Sequence, residues 1–107
     1  MPDFSEQQIE RVWQKAKIVA NNNPDVFRQD YAGAWIRRDQ YGMRNGKYGW
    51  EIDHCQPENQ GGSDQIENLY PLHWRNNASK GDDYPSWKTV LTSLGNKNVD
   101  GDRYWHM

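Results

Sequence analysis

The sequence predicts a small single domain of the α+β class over residues 1–107, with an N-terminal amphipathic helix and additional short antiparallel strands. Three observations lead to this prediction. The length of 107 residues is typical of one compact domain. Apolar residues with helical spacing are concentrated near the N-terminus, and the later apolar stretches are short and separated by Gly, Pro, Asn and Asp. Hydrophobic residues make up only 35% of the chain, which nevertheless has six Trp and six Tyr, so the core must depend on a few large side chains.

The first element is an amphipathic helix, predicted over about residues 5–20. Apolar residues recur there at three- and four-residue steps. Ser5 followed by Gln8 has the pattern of a capping box, which satisfies free backbone N–H groups at the start of a helix. We expect the helix to end within residues 21–25, because Pro24 lacks a backbone donor and disfavours helical geometry in the residue before it.

The next segment is predicted to contain one strand and one irregular stretch. Residues 31–36 are apolar and bounded by charged residues, which is typical of a strand. Residues 39–49 contain three Gly among basic residues and Tyr, and they predict a loop or an irregular hairpin.

A strand, a long loop, a second strand and a helix are predicted to follow. The strands are expected over residues 48–54 and 69–73, and the polar, turn-rich stretch 55–67 separates them. Residues 74–82 predict a short helix that stops near Gly81, because glycine is common just after the end of a helix.

The C-terminal part, residues 86–99, admits two interpretations. Its Thr and Val content and the Leu94-Gly95-Asn96 turn favour a hairpin. The spacing of Trp87, Val90 and Leu91 also fits a helical turn. We predict the hairpin.

Composition excludes several classes of protein. No run of about 18 apolar residues is present, so no membrane span is expected, and we expect no secretory leader. Cys55 is the only cysteine, which excludes an internal disulfide and a zinc site built from paired cysteines. A single cysteine is typical of a reducing compartment, so a cytoplasmic location is expected.

The overall charge argues against a nucleic-acid partner, but its distribution is uneven. The formal net charge is −2 and the pI is near 5.9, whereas proteins that bind phosphates usually carry a basic surface. Residues 28–50 nevertheless contain five basic and two acidic residues, while residues 51–67 contain five acidic residues and no Lys or Arg. The acidic stretch is a candidate cation site, and the basic segment lies just upstream of it.

Polar residues with regular spacing are concentrated where the strands and the helix of the middle segment meet. Asp53-His54 ends the first strand, Asn68 follows His54 by 14 residues, Asn77 follows by nine more, and Lys80 by three more. A neutral imidazole near pH 7 can take a proton from water. Carboxylate and amide oxygens are ligands that Mg²⁺ and Mn²⁺ accept. The alternative is that Asp53 and Asn77 only cap a turn and a helix.

This pattern resembles the HNH endonuclease family, whose fold is the ββα-metal or His-Me finger motif, over about residues 48–82. The resemblance implies that His54 activates the attacking water, with its other ring nitrogen fixed by a backbone carbonyl of the following loop. It implies that Asp53 and Asn77 hold one Mg²⁺ or Mn²⁺ ion, in an H-N-N form of the motif. It implies that Asn68 orders the loop, and Lys80 is expected to neutralise a phosphate or an acidic partner.

Several residues besides those of the motif also have predicted roles. Arg37, Arg38, Arg44 and Lys47 are the candidate contacts to a nucleic-acid backbone, although an ordinary charged loop is the alternative. Glu51, two residues before Asp53, is predicted to be an edge-strand carboxylate rather than a water-mediated metal contact. His73 and Asn76 occupy positions where zinc-ribbon relatives have a cysteine pair, so no structural zinc is expected. Packing of the aromatic residues is expected to replace it, chiefly by Trp13, Trp35, Trp50, Trp74 and Trp87.

The resulting hypothesis is a divalent-metal-dependent endonuclease that nicks DNA with low sequence specificity, as a monomer or weak homodimer and possibly beside a larger protein partner. The choice of DNA over RNA rests on the resemblance alone. Two alternatives remain at this stage, a toxin nuclease with a cognate inhibitor protein and a non-catalytic nucleic-acid-binding module.

Overall fold

The computed structural model describes residues 3–106 and confirms the predicted α+β class. Three two-stranded antiparallel sheets, pairing β1 with β2, β3 with β4 and β5 with β6, combine with two α-helices. Among the described residues, no helix has the length and apolar character needed to cross a membrane. The elements in chain order are α1 (Glu6–Trp13), β1 (Phe27–Gln29), β2 (Trp35–Arg37), β3 (Trp50–His54), β4 (Leu69–His73), α2 (Trp74–Lys80), β5 (Ser86–Leu94) and β6 (Lys97–His106), with 3-10 turns at Arg38–Gln40, Glu58–Gln60 and Ile66–Asn68.

Helix α1 begins where the sequence predicts and ends earlier. The capping box is formed, since the backbone N of Gln8 donates to Ser5 Oγ at 3.1 Å and the backbone N of Ser5 donates to Gln8 Oε1 at 2.8 Å. The predicted end near residue 20 was wrong, because the helix stops at Trp13.

Contacts with β1 explain the early end of α1. The backbone of Lys17 exchanges two hydrogen bonds with that of Gln29, at 2.7 and 3.0 Å. The Arg28 guanidinium donates to the carbonyls of Gln14 and Ala16, which lie just after the end of the helix. The chain after Trp13 therefore pairs with a strand that helical periodicity alone does not reveal.

The strand predicted over residues 31–36 was misplaced. The structure forms β2 at Trp35–Arg37 and pairs it with β1, which the sequence analysis did not predict. Asp30 makes the difference, because its Oδ1 accepts the backbone N–H groups of Ala32 and Ala34 at 3.1 and 2.8 Å and closes a turn inside the apolar run.

The middle segment forms the predicted strands, loop and helix. Strands β3 and β4 pair in register from Trp50 with His73 to His54 with Leu69, and the long loop between them carries two 3-10 turns. Helix α2 follows β4 without a linker, with Nδ1 of His73 capping its start at the Arg75 N–H, 3.1 Å away. As predicted, it ends just before Gly81.

The C-terminal segment forms the hairpin rather than the helical turn. Strands β5 and β6 pair over a longer range than predicted, with a bulge between Thr89 and Leu91. Asn76 of α2 lies against that bulge and accepts the N–H groups of Val90 and Leu91 at Oδ1, at 3.1 and 3.0 Å. The hairpin is therefore anchored to α2 by a buried side chain.

Tryptophan side chains dominate the core, as the composition predicts. Trp13 of α1 and Trp50 of β3 are fully buried with ring centroids 5.4 Å apart. Trp35 and Trp87 are also buried, while Trp74 is half-buried. The main cluster, which supports β3 and β4 from α1, consists of Val12, Trp13, Ala16, Ile36, Trp50, Ile52 and Leu69.

Candidate active site

One groove of about 580 Å³ collects the central residues of the predicted site. Asp53 and His54 reach it from the end of β3, and Asn77 reaches it from the middle of α2. These elements are adjacent because α2 follows directly on β4, which pairs with β3. The order strand, loop, strand, helix thus places a carboxylate, an imidazole and an amide along one cavity.

Asp53 is a buried carboxylate with one oxygen paired and one unpaired. Its Oδ1 lies 3.3 Å from Nζ of Lys80, which is fully buried and also donates to the backbone carbonyl of His54 at 3.1 Å. Burial raises the pKa of the Asp53 carboxyl to about 6, and the Lys80 charge opposes this rise. Of the two partners expected for Lys80, a phosphate or an acidic group, the structure provides the acidic group.

Two oxygen atoms of the groove remain available for a metal ion. Oδ2 of Asp53 is buried and accepts no hydrogen bond from residues 3–106. Asn77 donates its Nδ2 to Oε1 of Glu51 at 2.8 Å, which leaves its Oδ1 without a donor among the described side chains and backbone. A buried carboxylate oxygen and an amide oxygen without protein partners fit a hard divalent cation that keeps several waters.

The imidazole of His54 contacts the acidic loop. Its Nε2 lies 2.6 Å from Oδ1 of Asp64 and 3.9 Å from Oε1 of Glu58, and the Phe4 ring lies 6.0 Å from the imidazole between centroids. The backbone carbonyl expected to hold this ring is replaced by a carboxylate. His54, Glu58 and Asp64 also form a group of potential metal ligands whose donor atoms all lie within 4.8 Å of one another.

Asn68 connects both ends of the loop between β3 and β4. Its Oδ1 accepts the N–H of Gln56 at 2.8 Å, and its Nδ2 donates to the carbonyls of Gln56 and Ser63 at 3.0 and 2.8 Å. Gly62 permits this arrangement, because a Cβ there would lie 1.7 Å from the Gln56 carbonyl oxygen. The loop that carries Asp64 is therefore fixed by one amide side chain.

The family model of the HNH endonuclease matches residues 40–83, less than half of the chain. The match contains β3, β4 and α2, and therefore Asp53, His54, Asn68 and Asn77. The chain contains an HNH domain. Comparisons with curated proteins and with solved structures give no match. HNH domains are nuclease domains that typically use divalent metal ions, so the family indicates a nuclease acting on nucleic acid.

The HNH domain contains a carboxylate whose importance the sequence analysis missed. Glu51 is buried and accepts Nε of Arg44 at 2.7 Å, Nη2 of Arg44 at 3.0 Å and Nδ2 of Asn77. It is not the simple edge-strand carboxylate that we predicted. The sequence feature that could have revealed Glu51 is its position two residues before Asp53, which places both side chains on the same face of β3.

The four predicted nucleic-acid contacts are not brought together. Arg44 lines the groove of the HNH site, and Lys47 lines a second groove. Arg37 pairs with Asp39 at 3.0 Å, and these two line a separate, smaller cavity together with Arg38. Ion pairs also engage Arg38, whose acidic partners are Glu10 and Asp25.

Asp64 and Glu58 were likewise missed as partners of His54. Both belong to the acidic stretch 51–67, so a charge count along the chain gives the only sequence signal for them. Which of the acidic residues faces the imidazole depends on how Asn68 folds the loop.

Proposed function

We propose that this chain is a divalent-metal-dependent endonuclease that hydrolyses phosphodiester bonds in DNA and cuts one strand at a time. The observation that carries the proposal is the pair of unpartnered oxygens, Asp53 Oδ2 and Asn77 Oδ1, in the groove that also contains His54 and lies inside the HNH match. Metal dependence, DNA as substrate and nicking are parts of this proposal.

His54 supplies the base in the proposed reaction. The Asp64 carboxylate can only accept at neutral pH, so the 2.6 Å contact assigns the ring proton to Nε2 and leaves the lone pair on Nδ1. Nδ1 takes a proton from water as the water oxygen attacks the phosphorus. The bond from phosphorus to the 3′ oxygen then breaks, and the leaving oxygen takes a proton from solvent, which gives 5′-phosphate and 3′-hydroxyl ends.

The remaining residues hold the groups that react. Asp53 and Asn77 would hold a Mg²⁺ or Mn²⁺ ion, which when bound stabilises charge on a nonbridging oxygen and on the leaving 3′ oxygen. Asp64 is a positioning residue for His54, and Asn68 fixes the loop that carries Asp64. Lys80 acts through Asp53. Its ammonium group contacts Oδ1 of that carboxylate and fixes it in place, while Oδ2 of Asp53 remains unpaired.

The presence of one set of proposed catalytic residues within residues 3–106 leads to the expectation of nicking. A single site cleaves one strand per encounter, so supercoiled plasmid should first become open circular, and linear DNA should appear later. Double-strand cleavage needs a dimer or a second encounter. No described feature offers the large surface that recognition of a long base sequence requires, so we expect low specificity.

The test is incubation of supercoiled plasmid with the protein and Mg²⁺ or Mn²⁺, with EDTA as the metal-free control. Wild type should nick the plasmid, and His54→Ala should lose at least about 100-fold in rate, the lower end of what a general base contributes. Asn77→Ala, which removes an oxygen from the proposed metal position, should also lower the rate. Asn96→Ala, an exposed change in the β5–β6 turn, serves as the control.

Several outcomes would overturn the proposal. Plasmid that stays supercoiled with both metals contradicts it, as does a folded His54→Ala variant that cuts as fast as wild type. Activity with Zn²⁺ alone contradicts the oxygen-ligand assignment at Asn77. Cleavage of RNA without cleavage of DNA contradicts the substrate assignment.

A further inference from the structure

A second groove, of about 670 Å³, lies outside the site just described. Its walls come from the loop before β3, the start of α2 and the β5–β6 hairpin. Three basic residues line it, namely Lys47, Arg75 and Lys97. Trp74, which is half-buried, adds an aromatic surface.

The charge of this groove is opposite to that of the chain. The chain has a formal net charge of −2, whereas the groove has three cations and one carboxylate, Asp100. Lys47 and Lys97 are exposed and form no ion pair within residues 3–106. Asp100 pairs with Arg75 at 3.1 Å, but both side chains are accessible to water, where such a pair is weak. The groove is therefore suited to an anion.

The loop that carries Lys47 is held in place by hydrogen bonds to its backbone carbonyls, two of them partly buried and one exposed. The Lys47 carbonyl lies 2.8 Å from Nε2 of His73, and Trp74 Nε1 donates to the Gly46 carbonyl at 2.8 Å. Asn98 of β6 also donates to the Lys47 carbonyl, at 3.4 Å. The backbone at Gly46 and Lys47 is thus hydrogen-bonded both to the start of α2 and to the hairpin, so the groove is formed before any ligand binds.

The second groove adjoins the HNH site on two elements. Arg44 lines the site groove, and its neighbour Asn45 lines the second groove. On α2, Arg75 lines the second groove and Asn77 the site groove. At about 100° of rotation per residue, two residues along a helix amount to about 200°, so Arg75 and Asn77 place the two grooves on opposite sides of α2.

Charge complementarity argues for one occupant of the second groove. The phosphates of a nucleic-acid strand are regularly spaced anions, one for about every 3.4 Å of each strand of a duplex. A strand with one phosphodiester beside His54 that continues across α2 would bring further phosphates to the three cations of the second groove. The occupant that these charges favour is therefore the substrate strand itself.

We propose that the groove between Lys47, Arg75 and Lys97 binds the phosphate backbone of the nucleic-acid substrate beside the cleaved bond. This inference rests on the proposed nuclease function and adds to it a subsite partly built by the β5–β6 hairpin, which lies outside the HNH match. The subsite contributes to binding of the substrate and takes no part in the chemistry.

The test compares two double variants with the same change in net charge. Lys47→Ala/Lys97→Ala removes two cations from the groove, and Lys17→Ala/Lys88→Ala removes two exposed lysines elsewhere. Fluorescence anisotropy with a labelled DNA duplex in EDTA measures binding without cleavage. We expect the groove variant to bind at least about tenfold more weakly and its salt dependence to become shallower by about two, because each phosphate contact contributes about one to that slope. The control should stay within about twofold of wild type.

A variant that removes a negative charge from the second groove gives a second measurement. Asp100→Asn removes the carboxylate beside Arg75, so it should tighten DNA binding. In the cleavage assay the groove variant should show a raised KM with kcat within about twofold of wild type.

The outcomes separate the subsite from the nuclease function. Equal weakening by both double variants overturns the subsite, as does unchanged binding by the groove variant with cleavage intact. Selective weakening by the groove variant supports the subsite, even if wild type cleaves neither DNA nor RNA, and in that case only the nuclease proposal fails.

Discussion

At the residue scale, Glu51 holds two side chains of the site at once. Its carboxylate takes a bidentate pair from Arg44 and a hydrogen bond from Asn77 Nδ2. Because the amide nitrogen faces Glu51, the amide oxygen remains for the metal position. Glu51 therefore acts on the proposed cation through Asn77 rather than as a ligand.

Removing this acceptor should weaken metal binding. We expect Glu51→Ala to lower Mn²⁺ affinity and nicking rate by about tenfold or more, since a hydrogen bond to a charged group contributes about 1.5–3 kcal/mol. Glu51→Gln keeps an oxygen for Asn77 Nδ2 and should lose less. Mn²⁺ titration followed by electron paramagnetic resonance gives the affinity, with Glu67→Ala as an exposed control. Equal affinities in Glu51→Ala and wild type would refute this role.

Lys80 stabilises the fold through the same site. Its ammonium group is fully buried and faces Asp53 at 3.3 Å, so removing it leaves a buried carboxylate without a partner. Lys80→Met should lower the free energy of unfolding by about 3–5 kcal/mol, measured in urea. Lys88→Met, at an exposed ion pair, should cost less than about 1 kcal/mol. The double variant Asp53→Asn/Lys80→Met should recover part of the loss, and a Lys80→Met variant as stable as wild type would contradict the account.

At the scale of the element, the start of α2 depends on a neutral imidazole. His73 accepts the Arg75 N–H at Nδ1 and faces the Lys47 carbonyl with Nε2, which therefore carries the proton. Burial lowers the pKa of His73. A second proton would have to sit on Nδ1, where it would displace the helix cap.

This arrangement predicts that His73 contributes less to stability in mild acid. Because the folded-state pKa of His73 lies below its unfolded value of about 6.5, the unfolded chain binds the proton first, and the contribution of His73 to stability falls as pH drops below about 6.5. The slope is at most about 1.4 kcal/mol per pH unit for one proton. His73→Asn keeps a good capping residue without a titrating group, so wild type should lose unfolding free energy relative to this variant between pH 7 and pH 5. Parallel pH profiles for the two proteins would show that His73 is not responsible.

At the scale of the whole molecule, a buried polar cluster joins the three sheets. Asp30, in the turn between β1 and β2, accepts the backbone N–H of His73 and Nδ2 of Asn76 through Oδ2, each at 3.0 Å. Asn76 also contacts the backbone of Val90 and Leu91 in β5. His73 and Asn76 thus take part in hydrogen bonds that connect the matched segment 40–83 to its flanking hairpins.

Truncation of Asn76 should therefore affect the molecule as a whole. Asn76→Ala leaves backbone groups of Val90 and Leu91 without partners and removes one of the hydrogen bonds to the Asp30 carboxylate, and each buried group left unpaired costs about 1–3 kcal/mol. We expect a loss of at least about 3 kcal/mol in urea unfolding and faster amide exchange in β5, while Asn96→Ala should stay near wild type. Unchanged exchange in β5 would contradict the anchoring role.

Local patterns in the sequence are sufficient for the centre of this protein. Alternating apolar residues, the Gly and Pro positions and the short polar helix predict β3, the long loop, β4 and α2, because each depends on residues close in the chain. The spacing of Asp53, His54 and Asn77 then predicts a shared site, and the structure places all three along one groove.

Contacts between residues far apart in the chain decide the remainder. Helix α1 ends at Trp13 because Arg28 and Gln29 bind the backbone that follows, and Lys80 faces Asp53 because α2 packs against β3. The sequence by itself determines the central strands, loop and helix and the groups that are available for chemistry. Only the tertiary structure decides where α1 ends, which acidic residue faces which donor and how Lys47, Arg75 and Lys97 come to line one groove, because these depend on packing that no local pattern encodes.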